Sequence, residues 1–148
     1  MNGSAAEVGT LGTMALDPSD LPQAAVEFLT ERHLATFTTL REDGSPHVVP
    51  VGFTWDGHHR LARVICSGST VHAHNAARGG RAVLCQVDGR RWLSLEGQVS
   101  LASDDGAVLE AVRRYALRYR VPGHNPERVV VSVVVDRVLG SIPQQRPS

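Results

Sequence analysis

The sequence predicts a mainly β chain with helices, of α+β class, arranged as a six-stranded antiparallel barrel flanked by short helices. Three observations carry this. Short runs rich in β-branched and aromatic residues recur along the chain. Asp-Gly turns join several of them as hairpins, and only helical crossovers interrupt the hairpins. A chain of 148 residues has room for one core, and six short strands in one small core favour a barrel.

Each element follows from its own pattern. In "SDLPQAAVEFLTERH", Leu21, Ala25, Phe28 and Leu29 share one helical face, with Ser19 or Asp20 as the expected cap and Pro22 in the first turn. "LATFTTL" and "PHVVPVGFTW" read as two strands joined by the turn "REDGS". After a second turn, "DGHH", a third strand "RLARVIC" leads into "STVHAHNAARGG", a short helix ended by glycine. "RAVLCQV", a tight "DGR" and "RWLSLEGQVSLAS" form another hairpin. In "DDGAVLEAVRRYALRYR", Val108, Val112, Tyr115 and Tyr119 make a helical stripe, with acids at its start and arginines toward its end, as the helix dipole prefers. "RVVVSVVVDRVLG" closes the sheet. The domain is expected over 19–141, with a flexible tail over 1–18 and a C-terminal tail over 142–148.

Composition narrows the function. Fifteen basic residues, all arginine, balance fifteen acids, which removes the electrostatic case for a nucleic-acid partner. Cys66 and Cys85 sit inside apolar runs and not in a spaced framework, so reduced thiols and a cytoplasmic location are expected. The first twenty residues carry neither a basic leader nor a continuous apolar core, so no signal peptide and no membrane span are expected.

The densest chemistry lies in "ARVICSGSTVHAHNAARGG". A metal site is disfavoured, because His72 and His74 stand two apart on a helix and point to different faces, and no second Cys/His pair has ligand spacing. His58 and His59 fall in a polar turn and are expected to be solvated. An anion cradle needs less: small and hydroxyl residues after Cys66 let backbone N–H groups approach a phosphate, with Arg63, Thr70, His72 and Asn75 as side-chain donors. The alternative is that Ser67 or Ser69 simply caps the helix, and the residues alone leave the two readings open. Elsewhere, "RRYALRYR" has the spacing of an ordinary amphipathic helix, Ser94 and Glu96 read as one strand face, and no serine-histidine-acid or Rossmann motif is present.

Taken together, "FLTERHLATFTTLREDGSPHVVPVGF", "ARVICSGSTVHAHNAARGGRAVLCQVDGRRWLSLEG" and "RRYALRYRVPGHNPERVVV" resemble the split β-barrel flavin/deazaflavin oxidoreductases, the group that includes pyridoxamine-phosphate-oxidase-like proteins. The likeness runs from about Leu21 to Gly140 and is strongest to the branch that uses coenzyme F420, an 8-hydroxy-5-deazaflavin. It implies the FMN-binding split-barrel type of fold and a homodimer with two cofactor sites across the subunit interface. It places His47, Val48, Val49, Pro50 and Val51 along the deazaflavin ring through their backbone. Arg63, Cys66, Ser67, Gly68, Thr70, His72 and Asn75 hold the phosphate and tail in that picture, and Gln86, Asp88, Arg91 and Trp92 contribute from the neighbouring region.

The family's phosphate segment commonly carries Thr, Ser, Lys and Asn where this chain has Cys66, Thr70, His72 and Asn75. Cys66 thus loses a hydroxyl donor, and His72 replaces a permanent cation with a group only partly charged near neutrality; a nearby phosphate would favour its imidazolium. The implied chemistry is hydride delivery from C5 of the reduced deazaflavin to a conjugated acceptor such as a tetrapyrrole, biliverdin among them. Arg90 and Arg91 are candidates for acceptor carboxylates or the cofactor's tail, or else form a solvated hairpin tip. Two rivals remain: the same fold binding FMN, and a module that binds F420 or a tetrapyrrole without turnover.

Overall fold

A computed structural model describes residues 13–143, which form one antiparallel sheet and three helices. In chain order these are β1 (Met14–Leu16), α1 (Gln23–Thr30), β2 (Ala35–Leu40), β3 (Pro46–Val51), β4 (Thr54–Asp56), β5 (Leu61–Ser67), α2 (Val71–Ala77), β6 (Arg81–Asp88), β7 (Arg91–Ala102), α3 (Asp105–Arg118) and β8 (Arg128–Ser141). The hydrogen-bonded order is β3-β2-β6-β7-β8-β5-β4, with β1 added on β8. The α+β class and every expected hairpin are present.

The six expected strands become eight, for two physical reasons. "PHVVPVGFTW" is not one strand, because Phe53 gives its backbone groups to α3 and the residue after it. Its N–H donates to the Tyr119 hydroxyl at 3.2 Å, and its carbonyl accepts from Arg118 Nη1 at 2.6 Å. Gly52 allows this close passage: a Cβ there would stand 3.1 Å from the Tyr119 ring. β3 and β4 therefore lie at opposite ends of the hydrogen-bonded path although only Gly52 and Phe53 separate them. The path itself carries no ladder between these two strands.

The second extra strand is β1, within the stretch expected as a tail; it pairs Met14 with Gly140 and Leu16 with Val138. Residues 1–12 of the expected N-terminal tail lie outside the described residues, as do 144–148 of the C-terminal one. Ile142 packs against the core.

Helix α1 starts later than its expected caps. Pro22 stands at the cap position with no side-chain bond, while the Asp17 carboxylate accepts from the Ser19 N–H in a turn before it. Ala25, Phe28 and Leu29 are its buried face, as the spacing predicts. α2 ends at Gly79 and Gly80, both at positive φ, and α3 is capped by Asp104, whose carboxylate accepts from the Ala107 N–H. Gly44 and Gly89 supply the positive φ that the two hairpin turns require.

The core lies inside the curl of the sheet, where Phe28, Phe37, Phe53, Leu84, Leu93 and Val133 are essentially inaccessible. β7 and β8 form its spine and shift register between Glu96 and Gly97, leaving Asp136 as the extra residue. A Cβ on Gly97 would fall 1.8 Å from the Val134 carbonyl oxygen, so the bulge needs glycine there. Among the described residues, no helix is long and apolar enough to cross a membrane.

Candidate functional site

A cavity of about 410 Å³ opens where the end of β3, the end of β5, the start of α2 and the segment after α3 meet. Pro50, Val51 and Gly52 form one wall, Ile65, Cys66 and His72 a second, and Tyr115 a third. The segment 120–128 closes the rim with Arg120, Asn125 and Arg128, and no carboxylate lines the cavity. This segment is laced to the turn after β5. The Asn125 amide donates to Ser67 Oγ at 2.8 Å, the Gly68 N–H donates to the Glu127 carbonyl at 2.9 Å, and Arg128 Nη2 donates to the Gly123 carbonyl at 2.6 Å. Two arginines without an opposing acid give the mouth a positive field suited to an anionic ligand.

His72 and His47 form a stacked pair, ring centroids 6.3 Å apart and planes 23° apart, with Phe37 edge-on to His72. His47 Nδ1 and His72 Nε2 are both buried without a hydrogen-bond partner. Burial, and then the neighbouring His47, push the His72 imidazole below its ordinary pKa. His72 is thus held neutral near pH 7, a donor or acceptor instead of the cation that a phosphate-bound lysine would be. Burial likewise pushes the Cys66 thiol up, so it stays protonated and is only a weak donor.

Of the sixteen residues expected at a cofactor, the structure brings four to this cavity: Pro50, Val51, Cys66 and His72. His47 joins through His72. Val48 and Val49 precede this wall on β3, Val48 half-exposed and Val49 packed against the core. Thr70 is the cap of α2: its Oγ1 accepts from the Ala73 N–H and donates to the Ser67 carbonyl. The expected cap at Ser67 or Ser69 is therefore displaced by one residue or more, because Thr70 has the extended backbone a cap needs. With the Gly68, Thr70 and Ala73 N–H groups all bonded internally, much of the expected backbone cradle is already satisfied.

Other expected residues hold the scaffold. Asn75 is buried and donates to Thr39 Oγ1 at 2.9 Å. Arg63 donates to Asp56 at 3.1 Å, and Arg114 and His59 reach the same carboxylate oxygen at 3.3 and 2.9 Å. Burial alone would raise this carboxyl; the His59 and Arg63 bonds and the Arg114 charge outweigh it and bring Asp56 down to about 2. His59 is solvent-exposed, as expected, and also bonds Asp56. Gln86 is wholly buried, donating to the Phe28 carbonyl and accepting from Arg118.

Arg91 clamps Glu31 at 2.7 Å and Asp88 at 2.6 Å and lies over the Phe28 ring. It fills the one place among the described residues where three possible metal ligands converge, Glu31, His33 and Asp88. The hydrogen bond from Arg91 holds the Glu31 carboxyl down to about 2. Trp92, the second residue of β7, pairs with Val87 and does not line the cavity.

Sequence reasoning missed Tyr115, Arg120, Asn125 and Arg128. "RRYALRYR" has the spacing of a surface helix, and that spacing concealed its use. Tyr115 faces the cavity, and the helix ends so that Arg118 turns inward and Arg120 outward. The usable signal was "VPGHNPER", dense in turn residues and ending in an arginine, next to a strand already rich in donors.

Residues 21–141, which hold the sheet from β2 to β8, the three helices and the cavity, match the pyridoxamine 5'-phosphate oxidase family, and the chain belongs to it. Over 121 residues the chain is 59% identical to the F420H(2)-dependent biliverdin reductase of Mycobacterium tuberculosis (strain CDC 1551 / Oshkosh), covering 82% of this chain and 88% of that protein. Among solved structures, a conserved hypothetical protein from Mycobacterium tuberculosis superposes with a TM-score of 0.70 at 18% identity, covering 87% of this chain and 93% of that one. An F420 reductase superposes at 0.65 with 21% identity, covering 80% and 98%.

Proposed function

We propose that the chain is a coenzyme F420-dependent reductase that passes a hydride from the reduced deazaflavin to a conjugated acceptor, with biliverdin the first acceptor to test. The 59% identity to a reductase named for that cofactor and acceptor supports this reading. The observation that carries it is the cavity beside Pro50–Gly52, rimmed by Arg120 and Arg128 without a carboxylate and lined by His72, whose buried Nε2 has no hydrogen-bond partner. These residues fit an anionic planar cofactor: an apolar wall for the ring, guanidiniums for phosphate and tail, and a buried donor awaiting an acceptor.

When bound, the reduced deazaflavin supplies the hydride. The chain's own residues do the rest. Pro50, Val51 and Ile65 exclude water from one side of the cavity, and Tyr115 packs against the other. Arg120, which makes no hydrogen bond or ion pair among the described residues, and Arg128 hold the phosphate end. His72 donates a neutral hydrogen bond that needs no change of charge.

The split-barrel closure and the homodimer belong to the same reading. Val48, Val83, Cys85, Val87 and Trp92 share the outer face of β3-β2-β6-β7 with the hydroxyls of Thr36, Thr38 and Ser94 and with Glu96, a mixed surface suited to a second copy. Two unpaired cysteines suit a cytoplasmic setting. The test is a titration with F420 followed by turnover of its reduced form with biliverdin. Saturable binding, acceptor-dependent consumption, and a roughly tenfold weaker affinity in Arg120→Gln are expected. Binding without consumption would leave a carrier, and a yellow purified protein holding FMN would replace the cofactor.

A further inference from the structure

A second pocket, on the opposite flank of α3, combines features that the reductase reading does not use. It measures about 300 Å³ and lies between α1, β4 and α3. Its walls are Leu29, Trp55 and Leu117 for apolar surface, with Thr30, Thr54, Arg114 and Arg118 for polarity. No acid lines it.

Two observations point to a ligand. First, Thr54 is 6% exposed, and its hydroxyl is buried without any hydrogen-bond partner. A hydroxyl in that condition costs free energy until an acceptor arrives. Second, Arg118 is a half-buried cation with no carboxylate within ion-pair distance among the described residues. Its three bonds go to the Glu31 carbonyl, the Phe53 carbonyl and Gln86 Oε1, all neutral. Neighbouring Arg114 has Asp56 and Glu110 as partners, but those two carboxylates are shared among three guanidiniums, Arg63, Arg113 and Arg114, and the carboxylate whose charge reaches Arg118, Glu31, is already clamped by Arg91. The local charge is positive and the pocket's own lining offers nothing to oppose it.

We propose that this pocket is a binding site for a small organic anion with an apolar body, roughly a bicyclic aromatic carboxylate in size and character. Its body packs on Leu29, Trp55 and Leu117. Its carboxylate accepts from Thr54 Oγ1 and from the N–H groups that Arg114 and Arg118 have left over. The site is separate from the cavity that holds Cys66 and His72, so it stands or falls independently of the cofactor.

The test uses the full chain and 1-naphthoate as probe, with amide chemical shifts as readout. Saturable shifts at Leu29, Thr30, Thr54, Trp55 and Leu117 are expected, with 1-naphthalenemethanol, the neutral analogue, at least tenfold weaker. Thr54→Val removes only the hydroxyl. It should bind about tenfold more weakly while melting no lower than the parent, since an unpartnered polar group has gone. Leu117→Glu sets a negative charge on the exposed rim without touching the core, and should weaken binding severalfold. The proposal is overturned if naphthoate gives no saturable shifts, if the shifts map to Tyr115 and Arg120, if the alcohol binds as well as the acid, or if both variants bind like the parent.

Discussion

Gln86 offers the sharpest separation of scaffold from site, because the resemblance assigns it to the cofactor and the geometry assigns it to the core. It is fully buried; its amide nitrogen donates to the Phe28 carbonyl at 2.8 Å and its oxygen accepts from Arg118 Nη2 at 2.6 Å. Gln86→Leu would forfeit a neutral hydrogen bond worth about 1 kcal/mol and a charge-assisted one worth about 2 kcal/mol, and would leave the Phe28 carbonyl unpaired. The better apolar packing of leucine returns part of this, so a net loss of about 3 kcal/mol is expected, or about 10 °C in Tm for a chain of this size. Gln86→Glu loses the donor to the Phe28 carbonyl but keeps an acceptor for Arg118 and gives it a counter-ion, so its loss should be smaller, about 1 kcal/mol. Urea unfolding followed by circular dichroism at one fixed protein concentration measures both, the fixed concentration removing any contribution from association. A loss below about 1 kcal/mol in Gln86→Leu would refute the scaffold role. So would a tenfold fall in F420 affinity with stability intact.

Three further outcomes follow from the same geometry. Gly97→Ala drives a Cβ into the Val134 carbonyl and should cost about 3 kcal/mol or prevent folding, whereas Gly44→Ala, strained in φ but facing open space, should cost about 1 kcal/mol; thermal melts of the pair decide it. Asp56 titrates at about 2, below its ordinary 3.8, so it contributes stability above about pH 4 that is lost as pH falls through 2; Asp56→Asn should be less stable at neutral pH and flatter on that acid limb in urea midpoints. His72, held below its ordinary 6.5, acts in the same direction at higher pH. The folded chain should lose stability as pH falls from 7 toward 5, and His72→Gln should flatten that slope.

Local pattern carried most of the fold. Asp43-Gly44 and Asp88-Gly89 mark both hairpins, and Ala25, Phe28 and Leu29 mark the buried face of α1, because turn chemistry and periodicity act within a few residues. What escaped depends on partners distant in sequence. "PHVVPVGFTW" reads as one strand until Arg118 and Tyr119, some 65 residues later, take the backbone of Phe53. The site was partly legible: Cys66, His72, Pro50 and Val51 converge as expected. Arg63 and Arg91, equally plausible anion ligands by type, are held by Asp56 and by Glu31 with Asp88. Composition tells that a guanidinium is present, not which carboxylate lies beside it.

The edge strand β3 has a consequence for how the molecule meets other chains. The Arg41 N–H bonds the Ser45 carbonyl at the hairpin mouth, so by alternation His47, Val49 and Val51 face β2 and Pro46, Val48 and Pro50 face outward. Two of those three outward positions are proline and lack an N–H, leaving Val48 as the single donor beside three carbonyls. An incoming strand would find acceptors but almost no donors, which blocks ladder growth from this edge and keeps the chain from polymerising through it. Arg41 Nη1 already occupies the Pro46 carbonyl at 2.6 Å, and the Val48 and Pro50 carbonyls are left for a ligand that brings N–H groups of its own.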